Sequence, residues 1–445
     1  MEENNTPKRS LRDLLPKGEA KRSAPPEYGR PIGQGTRFKP RRFPWKLYGG
    51  IVVLIIILAG GYAVSKALAT ATITVVPRQQ KLSVDANVTA VRNSTSVVSS
   101  STPLIFDVIT ICTATRDAFL RSREFKVVST PEFVSGEGLC LPAGAKIDLD
   151  DIVFATGGGA SNAAVTFSRQ GFHTATVCKI GNDVSGREIL SNLKSEGVST
   201  GLVVEDEKLK TAYSVLILSN TGERTVLVYR GASENFETDN INPRTLSAKW
   251  FYIAGALPLD VLNVVLTAAK DKNAKVAINP SYNQIKLGLK GLGHILKKVN
   301  VVIMNREEGA LLTGVDYKRE EKIFSILDEY IDGIVVLTDG PKGVLVSAGH
   351  KIYQAGIYKE KIVADRTGAG DAFGSGFVAG LMDQLPAASH DLPIIIKERD
   401  ITHAIKLASA NATSVVESVG AKTGILSKDI FENESRWKEL DIKVR

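Results

Sequence analysis

The 445-residue chain holds only three cysteines, three methionines, three tryptophans and five histidines. Cys112, Cys140 and Cys178 are too few and too scattered for a disulfide framework or a thiolate zinc site. His173, His294, His350, His390 and His403 fall at no metal-ligand spacing and take no role. Beyond its first 46 residues the chain also lacks an excess of charge of either sign. Residues 1–46 carry twelve Lys and Arg against five Asp and Glu, whereas the remainder carries 44 against 43. The net +8 is therefore a property of one tail. A neutral body lacks the basic face that a nucleic-acid-binding fold presents, so nucleic acid is not an expected partner. What is present, 43% apolar and 23% charged residues, is an ordinary globular mixture that excludes a wholly disordered or fibrous chain.

The tail at 1–46 contains seven of the seventeen prolines among Lys, Arg, Glu and Ser, a composition that buries too little apolar surface to fold alone. It is followed by Leu47 to Ser65, nineteen residues without a charge. At about 1.5 Å per residue such a helix covers the roughly 30 Å hydrocarbon core of a bilayer. The run starts too late and is too long for a cleaved signal peptide. A single transmembrane helix over 47–66 is expected, with a buried core helix as the alternative. Trp45 and Tyr48 stand where an aromatic belt would, and the basic residues before the helix place the N-terminus in the cytoplasm by the positive-inside rule. Residues 67–104 read as a strand-like stub followed by a linker, since seven of the ten residues Asn93–Thr102 are Ser or Thr.

From Phe106 short β-branched runs alternate with helical spacings. Phe106–Ile111, Ile152–Ala155 and Thr174–Cys178 read as strands, and Ser161–Gln170 and Val184–Glu196 as helices stopped by Gly171 and Gly197. Further strands are expected at 213–219, 225–229, 250–254, 275–278, 300–304, 333–338 and 343–347. The pattern predicts one α/β domain over 105–430, with a doubly wound, mostly parallel sheet, and a C-terminal tail at 431–445. Strand-like stretches within 124–153 and 213–230 have no helix between them and predict hairpins that form a small β lid.

The run Asp365-Arg-Thr-Gly-Ala-Gly-Asp371 follows an expected strand at Lys361–Ala364 and opens a helix of small residues. The bare N–H groups of such a helix start, with its dipole, hold anions. An aspartate in that first turn stands where a general base for a hydroxyl nucleophile has to be. Alone, the run also reads as a tight strand-to-helix turn with Asp371 as its cap. It is accompanied, about 200 residues earlier, by Gly157-Gly158-Gly159-Ala-Ser-Asn162-Ala-Ala164. With this ordered pair of motifs, the segment from about 105 to 430 resembles the ribokinase, or PfkB, family of carbohydrate kinases.

The resemblance implies a ribokinase-like fold and ATP- and Mg2+-dependent transfer of the γ-phosphate to a sugar hydroxyl. It implies Asp371 as base and the amides of Gly368, Ala369 and Gly370 as the anion hole. On the acceptor side it points to Asp117, Gly157, Gly158 and Asn162. On the nucleotide side it points to Asn305, Thr338, Gly340, Gly343 and Asn411. Glu308, in Asn305-Arg-Glu-Glu308, would organise magnesium through water, and carbonyls around Asp365, Thr367 and Gly420 a monovalent cation such as K+. Read without the family, Glu307 and Glu308 are a solvated first helical turn, Thr338–Gly343 a hairpin turn, and Asp117 a cap. The sequence departs from the family pattern at Cys112, where a glycine is usual, and at Gly159, where a lysine is frequent. The stretch between Asp117 and Gly157 is long, which implies an enlarged lid through which a homodimer could form.

Two alternatives stay open: a nucleoside kinase of the same fold, and a membrane-tethered, non-catalytic sugar sensor. The charge flanks place the body outside the membrane, where ATP is scarce, whereas the chemistry places it in the cytosol. The unlike composition of 71–104 favours a fusion of the anchor onto a complete kinase, with the kinase domain cytoplasmic.

Overall fold

The computed structural model describes residues 105–445 apart from 134–135, 220–223, 350 and 386–395. The expected tail, transmembrane helix and linker at 1–104 lie outside the described residues. Among the described residues no helix is long and apolar enough to cross a membrane.

The strands are β1 (Phe106–Cys112), β2 (Thr115–Arg121), β3 (Lys126–Ser129), β4 (Glu137–Cys140), β5 (Asp151–Gly157), β6 (Thr174–Gly181), β7 (Val204–Asp206), β8 (Tyr213–Leu218) and β9 (Arg224–Tyr229). They continue with β10 (Ala248–Gly255), β11 (Lys275–Pro280), β12 (Val301–Asn305), β13 (Ile334–Thr338), β14 (Val344–Ala348), β15 (Lys351–Ala355) and β16 (Ile442–Val444). The longer helices are α1 (Gly159–Arg169), α2 (Val184–Ser195), α3 (Leu259–Asp271), α4 (Gly288–Leu296), α5 (Arg306–Thr313), α6 (Glu320–Leu327), α7 (Ala369–Gln384) and α8 (Glu398–Val416).

Ten strands form the main sheet in the order β16-β15-β14-β13-β12-β11-β10-β1-β6-β7. The seven from β7 to β13 run parallel, and β14, β15 and β16 continue antiparallel. Parallel strands covered by helices on both faces read as continuous apolar runs, which is why β10 and β12 carry almost no polar residue. Alternate residues still divide between two cores: Phe251 and Ile253 pack on one face with α3 and α4, Tyr252 and Ala254 on the other with α7 and α8. Gly380 lets α7 and α8 approach closely, since a Cβ there would lie 2.6 Å from the Ala404 Cα.

The lid is a four-stranded sheet, β5-β2-β8-β9, in which β2 pairs antiparallel with β5 and parallel with β8. The expected hairpin within 124–153 is β3 paired with β4. The chain enters the lid through two residues after β1 and leaves it through Gly158 into α1. Cys112, at the exit of β1, has φ 146°, a conformation that glycine adopts most easily, in keeping with the glycine usual at that place.

Two expectations are corrected. Lys361–Ala364 is no strand: Ala364 N donates to Val416 O at the end of α8, so the segment follows a helix terminus and meets no sheet edge. Residues 431–445 are no free tail. Trp437 is 2% exposed, its carbonyl accepts from the buried Tyr358 hydroxyl at 2.8 Å, and β16 adds the last strand to β15.

Candidate active site

The carboxyl ends of parallel strands are where an α/β sheet opens its crevice, and the two motifs meet there. Gly368 caps α7 in a left-handed conformation, φ 81°, and the helix begins at Ala369. The first amides of a helix have no acceptor inside it. Ala369 N makes one long contact, 3.4 Å, to Arg366 O. Asp371 stands in this turn, and its Oδ2 accepts a 2.8 Å hydrogen bond from Asn162 Nδ2, across 209 residues of sequence. Burial raises the Asp371 carboxyl above the ordinary carboxylate range; the Asn162 hydrogen bond opposes this, and the charge of Asp117 adds to it.

Beside Asp371 lies a buried polar cluster. Asp117 lies within lid strand β2, two residues beyond its start, and not in a loop after β1: Thr113 and Ala114 suffice to turn the chain. Its Oδ1 accepts from Thr115 Oγ1 at 3.0 Å and the Ser214 hydroxyl also reaches it, yet burial prevails and raises its pKa. The turn Gly157–Gly158 admits no side chain. A Cβ on Gly157 would lie 2.1 Å from Asp117 Oδ2, and one on Gly158, at φ 93°, would lie 2.5 Å from Thr113 O. Asn162, 3% exposed, leaves its Oδ1 without a partner among the described residues. A buried amide oxygen in that state has the capacity to accept a hydrogen bond from a bound molecule or water.

On the other side of α7 a cleft of about 200 Å³ is lined by Thr338, Gly340, Gly343, Ala369, Gly370 and Phe373, with Ser409, Ala412 and Thr413 from α8. Asn305 is the register partner of Thr338. Asn305 and Glu308 form a capping box at the start of α5: Glu308 N donates to Asn305 Oδ1 at 2.7 Å, and Asn305 N to Glu308 Oε2 at 2.9 Å. Burial nevertheless raises the Glu308 pKa, and the neighbouring Glu307 adds to it. Among the described residues no three His, Cys, Asp or Glu gather as a metal cluster. A lone, partly desolvated carboxylate fits a magnesium ion that keeps most of its waters and takes phosphate oxygens. Asp365 is 5% exposed and fully engaged within the chain: Oδ1 accepts from Thr367 N and Oγ1, and Oδ2 from Gly420 N.

Asn411 is the site residue that the structure turns away. It is fully buried, its Nδ2 donates to Ala372 O and Thr166 Oγ1, and its Oδ1 accepts from Leu426 N. It ties helices together, while the cleft meets its neighbours on α8. Sequence reasoning missed Ser409, 2% exposed, whose hydroxyl has no partner among the described residues and borders the cleft. It also missed Lys422, a lysine in the otherwise small-residue run Val419–Gly424. The signal in the sequence is limited to a lone charge among small residues.

A sequence model of the pfkB family of carbohydrate kinases matches residues 137–428. An uncharacterized sugar kinase of Archaeoglobus fulgidus is 27% identical over 264 residues, 58% of this chain and 97% of that protein. A cytidine kinase of Thermococcus kodakarensis is 30% identical over 249 residues, 56% of this chain and 85% of that protein. The fold is that of Arabidopsis thaliana ribokinase, solved with ribose and ATP: TM-score 0.59, 19% identity, 76% of this chain and 100% of the other. These relatives are kinases, and the reading as a non-catalytic membrane sensor finds no support among them. The chain belongs to the pfkB family of carbohydrate kinases, and is a phosphotransferase that acts on an alcohol group of a sugar or nucleoside.

Proposed function

We propose that the protein transfers the γ-phosphoryl group of ATP to a hydroxyl of a sugar, with Asp371 as general base. The observation that carries this reading is the Asn162–Asp371 hydrogen bond at the start of α7, with the second oxygen of Asn162 unpartnered beside it. The Asp371 carboxylate, poor in hydrogen-bond donors and raised in pKa, accepts the acceptor hydroxyl proton as that oxygen attacks phosphorus in line. Asn162 Nδ2 keeps Asp371 aimed, and its Oδ1 takes a donor from the acceptor molecule. The amides of Gly368, Ala369 and Gly370, of which Ala369 N makes only its long contact to Arg366 O, meet the charge on the transferred phosphoryl oxygens, the main demand of a loose phosphoryl-transfer transition state. Asp117 accepts hydrogen bonds from further acceptor hydroxyls.

The Thr338–Gly343 loop and Ser409 line the nucleotide side. Glu308, supported by Asn305, would hold a magnesium ion through water, and the ion would neutralise phosphate charge. A monovalent cation is proposed beside Asp365 and Thr367, held by carbonyl oxygens, since the Asp365 carboxylate is engaged elsewhere. The exposed apolar strand β9, with Leu227 and Val228 more than half exposed, supports a lid-to-lid homodimer. A nucleoside acceptor is the second reading, favoured by the 30% identity to a cytidine kinase. Membrane attachment through 47–66 rests on the sequence and is tested by fractionation with protease protection of the kinase body.

A coupled ADP-release assay of the full chain across sugars and nucleosides, with MgATP, tests the reading. Release that depends on one acceptor class is expected. Acceptor binding by calorimetry with no ADP release from any of them would overturn it.

A further inference from the structure

Lys422 is 7% exposed and belongs to none of the family motifs. Its Nζ donates to Thr156 Oγ1 at 2.8 Å, Ser161 Oγ at 2.5 Å and Asn192 Oδ1 at 3.0 Å. The other charged and titratable groups that face it, Asp117, Cys178, Glu196 and Arg169, act at longer range. Thr156 and Ser161 stand on either side of the turn Gly157–Gly159. Before the turn, Gly157 lies against the Asp117 carboxylate; after it, Asn162 follows Ser161 and holds Asp371. One ammonium thus grips both edges of the turn that connects the two site carboxylates.

We propose that Lys422 is a positioning residue that fixes this turn and so sets the affinity for the phosphoryl acceptor, without touching the reacting atoms. The inference rests on the kinase reading above. An ammonium has three N–H groups, one for each of its three acceptors, whereas a neutral amine has two and a lone pair, so the charge-assisted bonds are lost and one contact has to reverse, with the Ser161 hydroxyl donating to nitrogen. Burial lowers the Lys422 pKa to about 7, so the third contact weakens within the neutral range. The sign follows: the turn is held best below pH 7 and loosens as pH rises.

Initial rates of the full-length chain at saturating MgATP between pH 6 and 9, with D-ribose and cytidine as acceptors, test this. For the unaltered chain the acceptor KM rises as pH passes upward through about 7. Lys422→Met raises acceptor KM about ten-fold at the acid end, lowers kcat by less than that because Asn162 also aims Asp371, leaves the KM for ATP within about two-fold, and flattens the pH dependence. Asn192→Asp keeps the shape of the contact and places a negative charge beside the ammonium, so the rise in KM moves to higher pH. This second variant decides the matter if Lys422→Met does not fold. An unchanged acceptor KM in Lys422→Met, an equal loss in kcat and both KM values, or a KM rise that Asn192→Asp does not move would each overturn the proposal. Absence of acceptor-dependent ADP release from the unaltered chain would instead remove the kinase reading.

Discussion

The two sides of the site meet at Asp371 but are made of different materials. The side proposed for the nucleotide is a cleft in which the backbone of the glycine-rich start of α7 and of the Thr338–Gly343 loop stands beside a few polar side chains such as Arg366 and Ser409. The acceptor side is a set of buried polar side chains, Asp117, Asn162, Thr156, Ser161 and Lys422, each 8% exposed or less. Backbone amides cannot titrate and keep their geometry as long as the helix stands. A buried side-chain network depends on every partner and on pH. Substitutions on the acceptor side should therefore change acceptor KM and its pH dependence, and those on the nucleotide side should change phosphoryl transfer and metal demand.

The largest effect expected is at the turn between the lid and the body. Gly158→Val forces a side chain into the Thr113 carbonyl at a positive φ, and should abolish acceptor binding, a loss of about a hundred-fold or more in kcat/KM. Binding of a fluorescent ATP analogue should change far less; equal loss of both would break the division into two sides. Asp117→Asn should raise acceptor KM about ten-fold to a hundred-fold, as one carboxylate-strength hydrogen bond is weakened, with the KM for ATP little moved. Glu308→Gln should do the reverse, raising the magnesium concentration for half-maximal rate about ten-fold with acceptor KM unchanged. An unchanged magnesium requirement would reduce Glu308 to its capping role.

The smallest effect is thermal. The Asp371 pKa is raised in the folded state, so the native protein binds the extra proton between the unfolded pKa and the higher folded one, and its stability falls as pH rises through that window. At neutral pH the buried charge is a cost. Asp371→Asn should then melt no lower than the unaltered chain at pH 7, by calorimetry, and the advantage should shrink as pH is lowered through the window. A lower melting temperature at pH 7 would mean that the charge is well compensated.

Much of the proposed nucleotide side is legible because it is contiguous: Asp365 to Asp371 carries the turn, the amides and the proposed base in seven residues. The alternation of strands and helices likewise predicted the parallel sheet, since a β-run covered on both faces is apolar at every position. The acceptor side was legible only at the glycine turn. The place of Asp117 inside the lid depends on a two-residue connection from β1 that no local propensity announces. Lys422 comes from the far end of the chain, 266 residues from Thr156, and its burial is decided by tertiary packing. Asn411 lies in the core for the same reason: helical spacing gives a face, but the packing of α7 on α8 decides which residue meets the cleft and which the core. Lys361–Ala364 carries a strand-like composition, but its backbone meets the end of α8, where Ala364 N donates to Val416 O. β16 carries too little sequence to announce itself and exists because β15 offers a free edge.

The central claim is that Asp371 takes the proton from the acceptor hydroxyl. It is tested most directly by phosphoryl transfer from γ-labelled ATP to the identified acceptor, comparing the full chain with Asp371→Asn at equal nucleotide occupancy. The account predicts a fall in kcat of roughly 10²–10⁴-fold with ATP affinity preserved. Labelling of the acceptor by Asp371→Asn at the rate of the unaltered chain would contradict it.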